Sequence, residues 1–270
     1  VLGTLPYLQG LVLDAEDSIG LTQGEKASQT LNVIVAALPR ISNHTDFDSL
    51  RLHPQVSLTF VGPDQPIPAA DVVILPGSKS TASDLEWLKR QGWDTAIQRH
   101  LRYGGKVLGI CGGFQMLGEW VDDPEGLEGK PETVAGLGLL SLTTRMVGGK
   151  QLRNVSGLTV AEGATVTGYE IHNGVSDGAA LSSPLFDLDG RPEGAVSKDG
   201  HIIGTYLHGL FDHPEACQAL LKQLGLINAD KSDYQAHRER ELDRLADMLE
   251  AHIDIEAVIA LIEAGASPSQ

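Results

Sequence analysis

Residues 106–117, KVLGICGGFQML, place a cysteine at a junction that few folds provide. Val107, Leu108 and Ile110 form a short apolar run suited to a buried parallel strand, and Phe114, Met116, Leu117 and Trp120 then recur at helical spacing. Cys111 stands on the corner between them. Gly109, Gly112 and Gly113 surround it with residues that lack a Cβ, as a sharp strand-to-helix turn with strained dihedrals requires. The shape is that of a nucleophile elbow, with cysteine where an esterase carries serine. At such a corner the thiol points at the first turn of a helix, whose unpaired N–H groups favour the thiolate and can hold an oxyanion. The competing reading is a buried structural cysteine beside a glycine-rich turn.

The remaining chain decides between these readings. Strands and helices alternate from Leu31 onward: LNVIVAAL is an apolar strand, Asn43 to Leu50 a short capped helix, VSLTFV a second strand and DVVILP a third. Asp84 to Tyr103 carries apolar residues at helical spacing, with Gly92 dividing it into two helices before the strand that leads to Cys111. This alternation predicts an α/β fold with a doubly wound, mostly parallel sheet. After about residue 134 the composition turns to Val, Thr and Ile separated by glycine pairs, which predicts antiparallel hairpins flanking or extending the sheet. From Pro214 the pattern is helical again. Leu242, Leu245, Ala246 and Leu249, then Ile255, Val258, Ile259 and Ile262, make amphipathic faces, and RERELDR is read as solvated helix surface. Residues 1–30 begin with strand-like apolar residues and end in a polar stretch that reads as a linker.

Composition narrows the class. A net charge of −16 without clustered Lys and Arg argues against a nucleic-acid surface. No run approaches the ~18 apolar residues of a membrane span, and the N-terminal residues lack the order of a signal peptide. The two cysteines, Cys111 and Cys217, are far apart with no CxxC pair, so neither a disulfide framework nor a metal site is expected. The default compartment is a reducing cytoplasm.

A cysteine nucleophile needs a base within hydrogen-bond reach. Of nine histidines, His208 in GTYLHGLF is the best placed: Gly204 to Leu207 reads as a strand, and His208 lies where it ends, bounded by Gly209. Gly77 in LPGSKST follows an apolar strand and offers a backbone N–H as a second oxyanion donor. That segment also invites a nucleotide reading. A P-loop needs glycine immediately before the lysine and again five residues earlier, however, and those positions are Ser78 and Val73.

Together, GICGGFQML, LPGSKSTASDLEWL, GYEIHNG and GTYLHGLFDHPE resemble the glutamine amidotransferase domain of cobyric acid synthases, which amidate corrin side chains in cobalamin biosynthesis. The resemblance covers about residues 31–222, leaving 223–270 as a C-terminal helical extension. Residues 1–30 look like the end of an ATP-dependent synthetase half, the rest of which is missing from this chain, together with a linker. The resemblance implies a class I, flavodoxin-like amidotransferase fold with helices on both faces of the sheet, antiparallel additions and C-terminal helices. It implies Cys111 as nucleophile, His208 as general base and acid, and the N–H groups of Gly112 and Gly77 at the oxyanion positions. Gln115 matches a position that contacts substrate glutamine, and Tyr169, Glu170 and His172 a strand beside the glutamine pocket. His172 also reads as an ordinary strand histidine satisfied by its neighbours.

Leu210 stands where triad amidotransferases carry a glutamate, two residues after the histidine, so a cysteine–histidine dyad is expected, with Glu170, Asp212 or Glu215 orienting the imidazole. The resemblance further implies no cofactor in this chain, ATP and Mg²⁺ in the synthetase half, and ammonia delivered there for a corrin acceptor, cobyrinic acid diamide. Two alternatives accompany it. One is the amidotransferase subunit that amidates cell-wall lipid precursors; the other is a non-catalytic regulatory module of the same fold.

Overall fold

The computed structural model describes residues 2–8, 11 and 30–265. In chain order the strands are β1 (Leu31–Ala36), β2 (Ile41–Ser42), β3 (Val56–Val61), β4 (Val72–Leu75), β5 (Gly77–Ser78), β6 (Lys106–Ile110), β7 (Trp120–Asp123), β8 (Glu132–Ala135), β9 (Thr143–Thr159), β10 (Thr165–Asp177), β11 (Phe186–Leu188), β12 (Arg191–Glu193), β13 (Ala195–Val196), β14 (Ile202–Thr205) and β15 (Leu207–His208). The helices are α1 (Asp48–Leu52), α2 (Thr81–Arg90), α3 (Trp93–Arg102), α4 (Gly112–Leu117), α5 (Pro214–Gln223), α6 (Tyr234–His252) and α7 (Ile255–Gly265).

The main sheet has the order β13-β14-β6-β4-β1-β3. All its pairs are parallel except β13–β14. Every residue of β4 is buried, as is every residue of β6 after Lys106. Such unbroken apolar runs are what a parallel sheet covered on both faces demands, because side chains on either side must leave water. The alternation from Leu31 onward therefore folds as predicted.

The hairpin-rich part builds a second sheet, β12-β11-β9-β10-β15, with β7 and β8 added beside β9. The segment read as a single strand from Gly204 to Leu207 divides between the two sheets: β14 ends at Thr205 in the main sheet, and β15 pairs with β10 in the other. Glu193 joins them, accepting hydrogen bonds from Thr205 Oγ1 at 2.6 Å and from the Tyr206 N–H at 2.6 Å.

Three local expectations shift. Trp120 is the first residue of β7 and not part of the helix after Cys111, because Gly118 is extended (φ −71°, ψ −174°) and ends α4. Helix α2 begins at Thr81, before the expected Asp84. Asn43 opens a 3₁₀ turn, His44–Phe47, from a left-handed conformation (φ 53°), and α1 follows it. Asparagine tolerates that conformation better than most residues, which is how the chain turns there without glycine.

The chain separates into two compact units. Glu16–Asp233 contains both sheets, and Leu224, Leu226 and Ala229 beyond α5 are buried in its core. Val1–Ala15 and Tyr234–Gln270 form the other unit, in which Gly3 bridges Ile253 and the Asp254 N–H donates to Leu2 O at 2.8 Å. Within it α7 buries none of its residues. The polar stretch read as a linker lies outside the described residues, apart from Thr30. Among the described residues no helix is long and apolar enough to cross a membrane.

Candidate active site

Cys111 follows the last residue of β6 and caps α4 with φ 51° and ψ −109°, a conformation that L side chains rarely adopt. The strain expected at the elbow thus falls on the cysteine itself. The glycines serve a different need, close approach. A Cβ on Gly113 would lie 1.9 Å from Leu75 O, and one on Gly112 would lie 2.9 Å from Ser78 N. The corner is anchored by the Cys111 N–H, which donates to Thr205 O of β14 at 2.8 Å, and by Cys111 O, which accepts from the Gln115 N–H at 3.1 Å. The thiol faces the carbonyl of Ile171, 3.6 Å away.

His208 arrives from β15, fully buried, in register with Tyr169 of β10. The Tyr169 ring stacks on the imidazole with centroids 5.2 Å apart and planes 19° apart. His208 Nδ1 is 2.7 Å from Asp46 Oδ2, while Asp46 Oδ1 accepts from the Gly209 N–H at 2.9 Å. Nε2 is buried with no partner that meets hydrogen-bond geometry. Burial works against a charged ring, but the Asp46 carboxylate, by charge and by hydrogen bond, and then the Cys111 sulfur outweigh it. The ring is lifted from 6.5 to about 10. The Cys111 sulfur is among the groups acting on the His208 ring, and Nε2 is the ring nitrogen that Asp46 leaves open.

The carboxylate beside His208 is not among those named from the sequence. Glu170 is 1% exposed, and its oxygens are taken by Arg153 Nε and by Arg191 Nη2 at 2.8 and 3.0 Å. Adjacent strand residues point to opposite faces, so with Tyr169 on the His208 side, Glu170 is turned toward these arginines. Asp212 accepts from Ser49 Oγ at 2.6 Å, and Glu215 from the Thr165 N–H at 3.2 Å. Asp46 sits on the 3₁₀ turn after β2, where no spacing relative to cysteine or histidine advertises it.

On the strand expected to supply a second oxyanion donor, the pairing leaves the neighbouring N–H open. β2 and β5 pair Ile41 with Ser78 and Ser42 with Gly77, and the Lys79 N–H donates to Arg40 O at 2.9 Å. Antiparallel pairs alternate between bonded and non-bonded, so Gly77 lies in a bonded pair with Ser42 and the Ser78 N–H is turned out of the ladder, beside Gly112. Gly77 lies against the histidine instead: a Cβ there would be 3.4 Å from His208 Cε1.

A cavity of about 350 Å³ opens over the thiol, lined by Cys111, Gly112, Gln115 and His172 together with Asn43, Ser78, Lys79, Thr81, Glu128, Lys150 and Asn173. Gln115 is almost fully buried, its amide oxygen accepting from Thr81 Oγ1 at 3.1 Å and its nitrogen donating to Tyr206 Oη at 3.4 Å. It shapes the wall more than it offers free polar atoms. His172 stacks on Tyr206 with centroids 3.9 Å apart, and its Nδ1 is 2.7 Å from Gly174 O. Burial, opposed by that carbonyl, holds His172 below the usual range and so neutral. Glu128 brings a carboxylate into the cavity, accepting from the Thr81 N–H at 2.6 Å, and burial pushes it above the usual carboxylate range. No group of three or more His, Cys, Asp or Glu side chains among the described residues is arranged to hold a metal.

The family model for the CobB/CobQ-like glutamine amidotransferase domain matches residues 32–216, a span that contains both sheets and every residue of this site. The chain belongs to that family. Two solved structures share the amidotransferase domain's fold. A glutamine amidotransferase is 19% identical, with a TM-score of 0.55 over 72% of this chain and 98% of the other. The structure described as PurLQS from Thermotoga maritima is 18% identical, with a TM-score of 0.50 over 73% of this chain and 92% of the other. The class I, flavodoxin-like fold expected of the chain is the one observed. Glutamine amidotransferase domains of this kind use glutamine and work with a partner synthetase domain.

Proposed function

We propose that this amidotransferase domain is the glutaminase of a cobyric acid synthase, hydrolysing glutamine through a thioester on Cys111. The reading is supported by the strained elbow that bears Cys111 and by the Asp46 carboxylate 2.7 Å from His208 Nδ1, which favours the charged imidazole. The Cys111 thiolate attacks the side-chain amide carbon of glutamine, and the negative charge that develops on oxygen meets the Gly112 and Ser78 N–H groups. His208 Nε2 gives its proton to the departing ammonia, leaving a γ-glutamyl thioester. The same nitrogen then takes a proton from water, whose attack releases glutamate and frees the sulfur.

Charge in the cavity suits the rest of an α-amino acid. Glu128 would take the α-ammonium group, and Lys79 and Lys150 carry the opposite sign for the α-carboxylate. The raised affinity of Glu128 for protons is that of a buried anion lacking a cation, which a bound ammonium would supply.

The corrin assignment draws on the four sequence motifs and the CobB/CobQ-like family description. In this reading the ammonia passes to a cytoplasmic synthetase half that uses ATP and Mg²⁺ to activate carboxylates of cobyrinic acid diamide, and residues 1–30 are the end of that half and its linker. Leu210 in place of a glutamate would suit a non-catalytic module of the same fold; the Asp46 carboxylate 2.7 Å from His208 Nδ1 supports the catalytic reading instead. Glutamate release from glutamine, measured with and without a synthetase half, tests the chemistry. Cys111→Ala is expected to lower the rate at least about 10³-fold, and equal rates for the two proteins would remove Cys111 from the mechanism. Glutamine-dependent amidation of cobyrinic acid diamide by the reconstituted pair tests the acceptor.

A further inference from the structure

Three observations converge on Asp46. It is 3% exposed, so its charge is shielded from solvent and must be answered inside the protein. Its two oxygens are divided between the ring nitrogen of His208 and the backbone N–H of Gly209, at 2.7 and 2.9 Å. One carboxylate thereby grips both the imidazole and the backbone directly after it, which fixes the ring against rotation as well as against tautomer exchange. The turn that bears Asp46 is itself braced. The Asn43 amide donates to Tyr169 Oη at 2.6 Å, and that tyrosine stacks on the imidazole.

We infer that Asp46 is the positioning residue of the reacting pair, keeping the proton of His208 on Nδ1 and turning Nε2 to the Cys111 sulfur. This deepens the glutaminase reading and rests on it for what the pair does. The function that triad enzymes give to a carboxylate two residues past the histidine is supplied here from the connection between β1 and β3. An ion pair closed by a charge-assisted hydrogen bond strengthens as water is excluded, and here both partners are buried.

The groups facing the imidazole permit a clean test. Cys111 approaches from the elbow, Asp46 from the 3₁₀ turn, Tyr169 and His172 from β10, and Asp212 from the turn after β15, where its Oδ2 would lie 3.1 Å from a Cβ on Gly209. Burial is the first cause that moves Tyr169 above its usual value and His172 below its own.

The experiment is ¹⁵N NMR of histidine-labelled 270-residue protein, with His208 assigned by His208→Gln, combined with the pH dependence of Cys111 alkylation by iodoacetamide followed by peptide mass spectrometry. In the wild type, Nδ1 is expected to stay protonated across the transition. In Asp46→Asn the ring is expected to titrate about 1–3 pH units lower, the alkylation profile is expected to move with it, and Asp46→Glu is expected to restore part of the shift.

An Asp46→Asn protein that titrates and alkylates like the wild type would overturn the inference. Should that variant not fold, the wild-type spectrum decides alone: an unprotonated Nδ1, or a transition at the ordinary histidine value, also overturns it. Neither readout involves glutamine. A protein that shows the expected shifts but releases no glutamate therefore refutes the glutaminase reading and leaves the role of Asp46 intact.

Discussion

The cysteine on the corner carries its strain alone. None of Gly109, Gly112 and Gly113 has a positive φ, whereas Cys111 does. Holding a residue with a Cβ in such a conformation costs of order 1–3 kcal/mol, which the surrounding packing must over-determine. Cys111→Gly is accordingly expected to be more stable to urea than Cys111→Ala by about 1–3 kcal/mol; equal stabilities would mean that the backbone there is not strained. The corner and its histidine were legible in the sequence because each sits where a strand runs out, a position that apolar runs and glycines mark. Asp46 was not legible, since a buried carboxylate in a short connection has no periodicity, and its partner lies 162 residues away. Ser78 was missed for a related reason: which of two adjacent N–H groups is free depends on β2–β5 register, a property of pairing and not of composition.

One short connection, from β2 to the 3₁₀ turn, serves two parts of the chemistry. Its β2 pairs with β5, the strand carrying Ser78, and its turn presents Asp46 to His208. Asn43 lies between them in a left-handed conformation, bonded to Tyr169. Asn43→Gly keeps that backbone and removes the bond, as does Tyr169→Phe from the other side. In glutamate-release assays the double variant is expected to be no worse than the poorer single one, a coupling of about 1 kcal/mol between the sites. Strictly additive losses would show that the bond does not brace the turn. The parallel sheet was readable here because β4, and β6 after Lys106, carry no polar side chain. The division of β14 from β15 was not, because the run from Ile202 to His208 is continuous in sequence and only the pairing partner changes at Tyr206.

Across the whole molecule, two sheets meet along the Thr205–His208 crossing, and the join is sensitive to pH. Burial lifts Glu193 from 4.5 to about 7, so the folded protein retains a proton that the unfolded chain would release. Stability from this group is complete below 4.5 and lost as pH rises through 7; His208, at about 10, loses its share between 6.5 and 10. Resistance to urea is expected to be lower at pH 10 than at pH 5. Glu193→Gln should abolish the early part of the decline, worth up to about 3 kcal/mol, and an unchanged slope in the variant would refute that origin.

The reach from Asp46 across the fold to His208 also bears on how the protein is made. A polypeptide leaving the ribosome exposes its sulfur long before the imidazole has been synthesised, and the acid that arms the imidazole waits in the earliest strands. Until β14 pairs with β6 and β15 with β10, the nascent chain carries an unassisted thiol, so the power to break amide bonds emerges only once that crossing is in place.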